Sequence, residues 1–166
     1  MQPMTPEDVQ AVLDRHQFNV QITFFDTTTA TSQQAADNIG CDVAQIVKSI
    51  CFIAGEQPVI VLTSGAQRVD DRKIAALFGI GRKQVRAAKP EECVDVFGYA
   101  PGSVPPFPHR TPGIVVYIDQ TLQNYPMLYA AGGAHNAIFP VTLAQLVAVT
   151  NGMITDVIKD ATVPSA

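Results

Sequence analysis

Residues 45–53, QIVKSICFI, place one lysine inside a run that otherwise reads as a buried strand. Ile46, Ile50 and Phe52 fall on one face and Val47, Cys51 and Ile53 on the other, the pattern of a strand covered on both sides. Lys48 interrupts it. On period-2 geometry its side chain leaves on the Ile46/Ile50/Phe52 face, and its ammonium must find a cleft, a partner or solvent, because an isolated buried charge is too costly. Two readings stand at this point. One is an edge lysine that discourages strand-to-strand pairing. The other is a cleft lysine, held by a rigid strand to meet negative charge in a substrate.

Outward from that strand, residues 55–58 (GEQP) form a turn and 59–63 (VIVLT) a second β-branched strand, which together predict an antiparallel hairpin. Upstream, Thr5-Pro6-Glu7-Asp8 is a helix start, with Val9, Val12, Leu13 and His16 on one face, so a helix is expected over 6–16. Residues 18–25 (FNVQITFF) alternate and predict a half-buried strand. Thr31 and Gln34 form a capping box for a helix closed by Gly40. Downstream, Asp70 caps a helix that stops at Gly79, 85–87 form a short strand, and Lys89-Pro90-Glu91-Glu92 starts a short helix ending at Gly98. Strands follow at 114–118, 127–131 and 137–139, with a helical turn over 119–124. Thr142 and Gln145 make another capping box, for a helix over 143–149 that Gly152 stops before a last strand over 154–158. Interspersed strands and helices with a hairpin define an α/β class with a mixed sheet.

The segment 98–113, GYAPGSVPPFPHRTPG, holds five prolines and three glycines. It is a stiff shaped loop, because proline removes ladder donors and fixes φ.

The chain has 166 residues, 47% hydrophobic and 16% charged, which fits one compact domain with a sizeable core. Apolar runs are strand-sized, far below the roughly 20 residues that span a bilayer, and the N-terminus lacks signal-peptide architecture. A soluble cytoplasmic protein is expected. Cys41, Cys51 and Cys93 have no CxxC spacing, and His16, His109 and His135 lie far apart, so no metal or cofactor is expected. The net charge is −4, but residues 68–89 carry Arg68, Arg72, Lys73, Arg82, Lys83, Arg86 and Lys89 against only Asp70 and Asp71. That local excess is compatible with contact to a phosphate backbone, and equally with a solvated surface.

Dinucleotide, P-loop and nucleophile-elbow signatures are absent. What remains is the strand lysine, the Gly102-Ser103-Val104-Pro105 turn, and Gly132-Gly133 after a strand, where missing Cβ atoms allow backbone N–H groups to approach a ligand. A cation plus backbone donors is what acyl chemistry needs at a developing oxyanion. Cys51 points away from Lys48 on strand parity, which disfavours a cysteine nucleophile.

Five blocks in order, TSQQAADNIG, QIVKSICF, VIVLTSGAQRVDDRKIAALFG, GYAPGSVPPFPH and AAGGAHNAIFPVTLAQL, resemble the YbaK/prolyl-tRNA synthetase-associated domain family. The resemblance is strongest over 31–157. It implies a mixed, strongly curved, barrel-like sheet with surrounding helices, and hydrolysis of the ester on mischarged tRNA, with tRNA-Pro carrying alanine or cysteine as the expected substrate. By the same resemblance Lys48, Gly132 and Gly133 are the catalytic candidates. Gly102, Ser103, Val104 and Pro105 are substrate-binding candidates; from the residues themselves His135 is a further candidate to hydrogen-bond substrate or to serve the fold, and the charge excess makes Arg68, Arg72, Lys73, Arg82, Lys83 and Arg86 the candidates for contact with tRNA. The aminoacylated 3′ end of tRNA is the implied partner, with prolyl-tRNA synthetase or another translation factor as a further candidate. Ala131 stands where some relatives carry Ser or Thr. The competing readings are a non-catalytic module for an aminoacylated or nucleotide-like ligand, and a structural partner of a synthetase.

Overall fold

The computed structural model describes residues 1–160, so the last six positions of the expected 1–166 domain, 161–166, lie outside the described residues. In chain order the elements are α1 (Pro6–Arg15), β1 (Thr23–Phe24), α2 (Ser32–Ile39), β2 (Ile46–Ala54), β3 (Gln57–Ser64), α3 (Asp71–Phe78), β4 (Val85–Ala87), α4 (Pro90–Glu92), β5 (Val115–Asp119), β6 (Leu128–Ala131), β7 (Ala137–Val141), α5 (Leu143–Thr150) and β8 (Met153–Thr155). The expected mixed α/β class is what forms. One eight-stranded sheet runs β1-β7-β6-β2-β3-β5-β8, with β4 added to β2. The β2–β3 hairpin is antiparallel over its whole length, while β6 joins β2, and β5 joins β3, in parallel.

Side-chain parity divides the interior in two. Val47, Cys51 and Ile53 of β2, with Ile60 and Leu62 of β3, enter the main core beneath α1 and α5, which contribute Val9, Leu13 and Leu146. The opposite sheet face carries two smaller clusters. Phe52, Val59 and Val61 pack on Ile74 and Ala75 of α3, and Ile46 packs with Ile138 on Ala35 and Ala36 of α2. Lys48, between Ile46 and Ile50 on that face, sits between those clusters.

Helix boundaries follow their caps. Thr31 Oγ1 accepts from Gln34 N–H at 3.1 Å and Thr142 Oγ1 from Gln145 N–H at 3.2 Å, each satisfying an orphan donor of the first turn. Three expectations need correction. Of the strand expected over 18–25, only Thr23 and Phe24 join the sheet, against Ile138 and Ala137. Phe18, Val20 and Ile22 do pack on the main core, but the Gln10 amide donates to Val20 O at 2.8 Å and accepts from Ile22 N–H at 3.0 Å. A side chain supplies there what a neighbouring strand would. Helix α5 ends at Asn151, in the left-handed region at φ +54, one residue before the expected Gly152. The strand expected over 154–158 is Met153–Thr155, paired parallel with β5. No helix among the described residues is long and apolar enough to cross a membrane.

Candidate active site

Lys48 lies opposite Thr63 in the β2–β3 register. Its ammonium donates to the Gln67 carbonyl at 2.6 Å, in the turn that follows β3. The side chain is half-buried. Burial first, and the Arg68 cation second, hold its pKa below the ordinary lysine value. The charged form is therefore partly desolvated and poised to gain from an anionic or polarised partner.

The ammonium belongs to a cavity of about 330 Å³. Its floor is Ile46 to Ile50 of β2. One wall comes from the start of α2 and the loop before it (Thr29, Ala30, Thr31, Ser32, Ala35), and the other from Gly102, Val104, Ala131 and Ile138. None of these lining side chains is a carboxylate, imidazole or thiol. Cys51 points into the main core, as parity required, and its thiol pKa is pushed up by the contact with Cys93 and by burial.

The walls meet through His135. Its carbonyl accepts from Thr29 N–H at 2.5 Å and from the Thr28 and Thr29 hydroxyls at 3.2 Å. Its Nε2 contacts the Pro101 carbonyl at 3.2 Å. One exposed residue thus ties the threonine loop to the proline-rich loop. Gly102 adopts φ +85, and a Cβ there would stand 3.4 Å from Ala30, so glycine permits both the turn and the close approach of the walls.

Of the residues singled out from the sequence, the structure brings Lys48, Gly102 and Val104 onto one cavity. Ser103 and Pro105 are buried within the loop and do not line it. Gly132 and Gly133 lie behind the wall. Gly132 N–H donates to Ala137 O at 2.7 Å, and a Cβ on Gly132 would meet Ile22 at 3.0 Å. Gly133, at φ +96, would meet Tyr99 and Val9 at 3.2 Å. The missing Cβ atoms let this turn nest against α1, and the residue of that turn that reaches the cavity is Ala131. Sequence reading passed over Thr29, Thr31, Ser32, Ala35 and Ser49. The capping box already located Thr31 and Ser32, but no sequence signal placed that helix start opposite Lys48.

The basic residues fall into two sets. Lys73 binds Asp156 at 2.8 Å and Asp160 at 3.0 Å, Arg82 binds Asp71 at 3.0 Å, and Arg86 forks onto Glu92 at 2.7 and 3.0 Å. Held by that fork, Glu92 has a pKa lowered to about 2. Arg68, Arg72 and Lys83 are exposed and make no ion pair among the described residues.

The site is thus a lysine-bearing cavity on a mixed sheet, walled by a glycine-proline loop. Residues 26–149 match the family described as the aminoacyl-tRNA editing domain, and the chain belongs to that family. It is 30% identical over 130 residues to the uncharacterized protein YwhH of Bacillus subtilis (strain 168), covering 75% of this chain and 78% of that one. It is 32% identical over 111 residues to a proline–tRNA ligase of Limosilactobacillus fermentum, a match of 64% of this chain to 18% of the ligase. Among solved structures, one of a protein proposed as a trans-editing enzyme for prolyl tRNA synthetase superposes with TM-score 0.86 at 35% identity, over 93% of this chain and 97% of that one.

Proposed function

We propose that the protein is a trans-editing deacylase that hydrolyses the ester of mischarged tRNA, with tRNA-Pro carrying alanine or cysteine as substrate. The observation that carries this reading is the convergence of Lys48, Gly102 and a small-residue wall on one cavity of about 330 Å³. Ester hydrolysis builds negative charge on the acyl oxygen, and a partly dry ammonium stabilises that charge far better than water does. No lining side chain can act as a conventional general base, so the attacking group is water or a hydroxyl of the substrate itself, oriented by the walls. Ala30, Ala35 and Ala131 leave room for a short side chain. Hydrophobic walls alone separate neighbours differing by one methylene by only about 1 to 3 kcal/mol, which is the situation that calls for a second sieve after aminoacylation.

The family membership, and the resemblance to a protein proposed to edit for prolyl tRNA synthetase, support the same reading. The test is to incubate the purified protein with alanyl-, cysteinyl-, seryl- and prolyl-tRNA-Pro. Release of alanine or cysteine with prolyl-tRNA-Pro spared supports it. Binding of these tRNAs without release of any amino acid would instead make the protein a recognition module.

A further inference from the structure

Strand β2 is paired along its whole length by β3, but its other edge is shared by two short strands that do not meet. The β6 register ends at Val47↔Ala130, and the β4 register begins at Phe52↔Ala87. Antiparallel pairing alternates the direction of the main-chain groups, so three hydrogen bonds fix which residues face the gap. Gly65 N–H donates to Ile46 O at 2.7 Å, which turns the even-numbered residues of β2 toward β3. Ala88 N–H donates to Cys51 O at 2.9 Å and Gly55 N–H to Gln84 O at 2.8 Å, which turns the odd-numbered residues toward the other edge. Ser49 therefore presents its own N–H and C=O to the stretch where no strand is in register. The cavity runs along this stretch, with Ser49 in its lining. Ser49 Oγ leaves on the core face of β2, with Val47 and Cys51, and is buried with no hydrogen-bond partner.

We infer that this open edge is the recognition element for the aminoacyl group. The inference rests on the deacylase reading and names how its substrate is held. An aminoacyl ester is a single residue with one amino group and one carbonyl, and residue-on-residue pairing is what one rung of an antiparallel ladder provides. Ser49 N–H donates to the acyl oxygen and Ser49 C=O accepts from the α-ammonium. No carboxylate lines the cavity, so this neutral carbonyl is what meets the substrate cation. The next residue back, Lys48, then lies beside the acyl oxygen. Selection for an unblocked α-amino acid comes from the main chain and side-chain selection from the alanine-lined wall.

The test uses the ¹⁵N-labelled protein and two non-hydrolysable probes, 3′-alanylamido-3′-deoxyadenosine and its des-amino counterpart carrying a propionyl group. The expected result is a downfield shift of the Ser49 amide on adding the alanyl probe, larger than that of Lys48. The wild type is expected to bind the alanyl probe about tenfold more tightly than the propionyl probe, and Ser49→Ala, which keeps the main-chain rung, to do the same. The melting temperature of Ser49→Ala should be equal to or above that of the wild type, since an orphan hydroxyl is removed. If the alanyl probe shifts Lys48 and Gly102 while the Ser49 amide stays still, or if the wild type binds both probes equally, the inference is overturned and the deacylase reading stands. If the alanyl probe moves no cavity residue and no ester is hydrolysed, both fall. The amide shift is read on the wild type and does not depend on the variant.

Discussion

Lys48 and Gln67 are joined by a 2.6 Å hydrogen bond from the ammonium to a main-chain carbonyl, across the hairpin from β2 to the turn beyond β3. That bond uses one of the three ammonium donors and fixes the direction of the side chain, leaving two for a ligand. The lysine is thereby oriented before substrate arrives, which is the condition under which a charge acts on a transition state without reorganising.

The first prediction concerns Arg68, whose cation helps to lower the Lys48 pKa from 10.5. Activity that needs the ammonium is complete below the lowered pKa and is lost as pH rises through it. Arg68→Ala removes the repulsion, raises the Lys48 pKa and moves the alkaline limb to higher pH. Single-turnover rates across pH, with spontaneous ester hydrolysis subtracted, check this, and an unmoved limb would count against it.

A second prediction separates the basic residues. Replacing Arg68, Arg72 and Lys83 by glutamine should lower the slope of log K against log salt for tRNA by about 0.7 to 0.9 for each phosphate that the variant no longer neutralises. Replacing Lys73, Arg82 and Arg86, which already hold carboxylates, should change that slope less and lower the melting temperature more. Equal slopes for both sets would remove the distinction.

Gly65 gives a third. A Cβ there would stand 2.6 Å from Val43 O and 2.7 Å from Ser32 Cβ, contacts that no flexible side chain can relieve. Gly65→Ala should cost about 1 to 3 kcal/mol in denaturant unfolding, by overpacking the turn against α2. It should also lower the deacylation rate, because Ser32 lines the cavity and Gln67, two residues after Gly65, holds the Lys48 ammonium. A variant of unchanged stability and rate would refute the packing account.

The fourth concerns His109, whose Nε2 contacts the Pro105 carbonyl at 2.9 Å. Burial pushes its pKa down from 6.5 to about 4, against the opposing effect of that hydrogen bond. The neutral form is the folded form, so stability is intact above pH 6.5 and is lost as the pH falls toward 4, by up to about 3 kcal/mol. His109→Gln should flatten unfolding free energy over that window. The Glu92 and Asp156 carboxyls, both held low by their cations, act below it.

Much of the frame was legible because it is written locally. Thr31 with Gln34, Asp70 with Gly79, and Thr142 with Gln145 set helix ends through bonds within one turn, and the two-sided apolar pattern of β2 found the central strand and the direction of Lys48. What the sequence hid depends on distant partners. Gln10 replaces a strand for Val20 and Ile22, and Asp156 and Asp160 claim Lys73 from the far end of the chain. Ser49 was hidden for another reason. Period-2 reading assigns its side chain to the core face, and nothing in residues 45–53 reveals that the neighbouring strands leave its main chain uncovered. The glycine pair at 132–133 was visible as a turn, but whether its open space served a ligand or the packing of α1 required coordinates.

The most direct measurement is the single-turnover release of alanine from alanyl-tRNA-Pro by the wild type and by Lys48→Ala, with tRNA binding measured in parallel. Lys48→Ala should fold, bind the tRNA within a few-fold of the wild type, and release alanine at least about a hundredfold more slowly, the scale of losing a preorganised charge at an oxyanion. Release at the wild-type rate by a folded Lys48→Ala protein would contradict the account, since the cavity would then act on the ester without its cation.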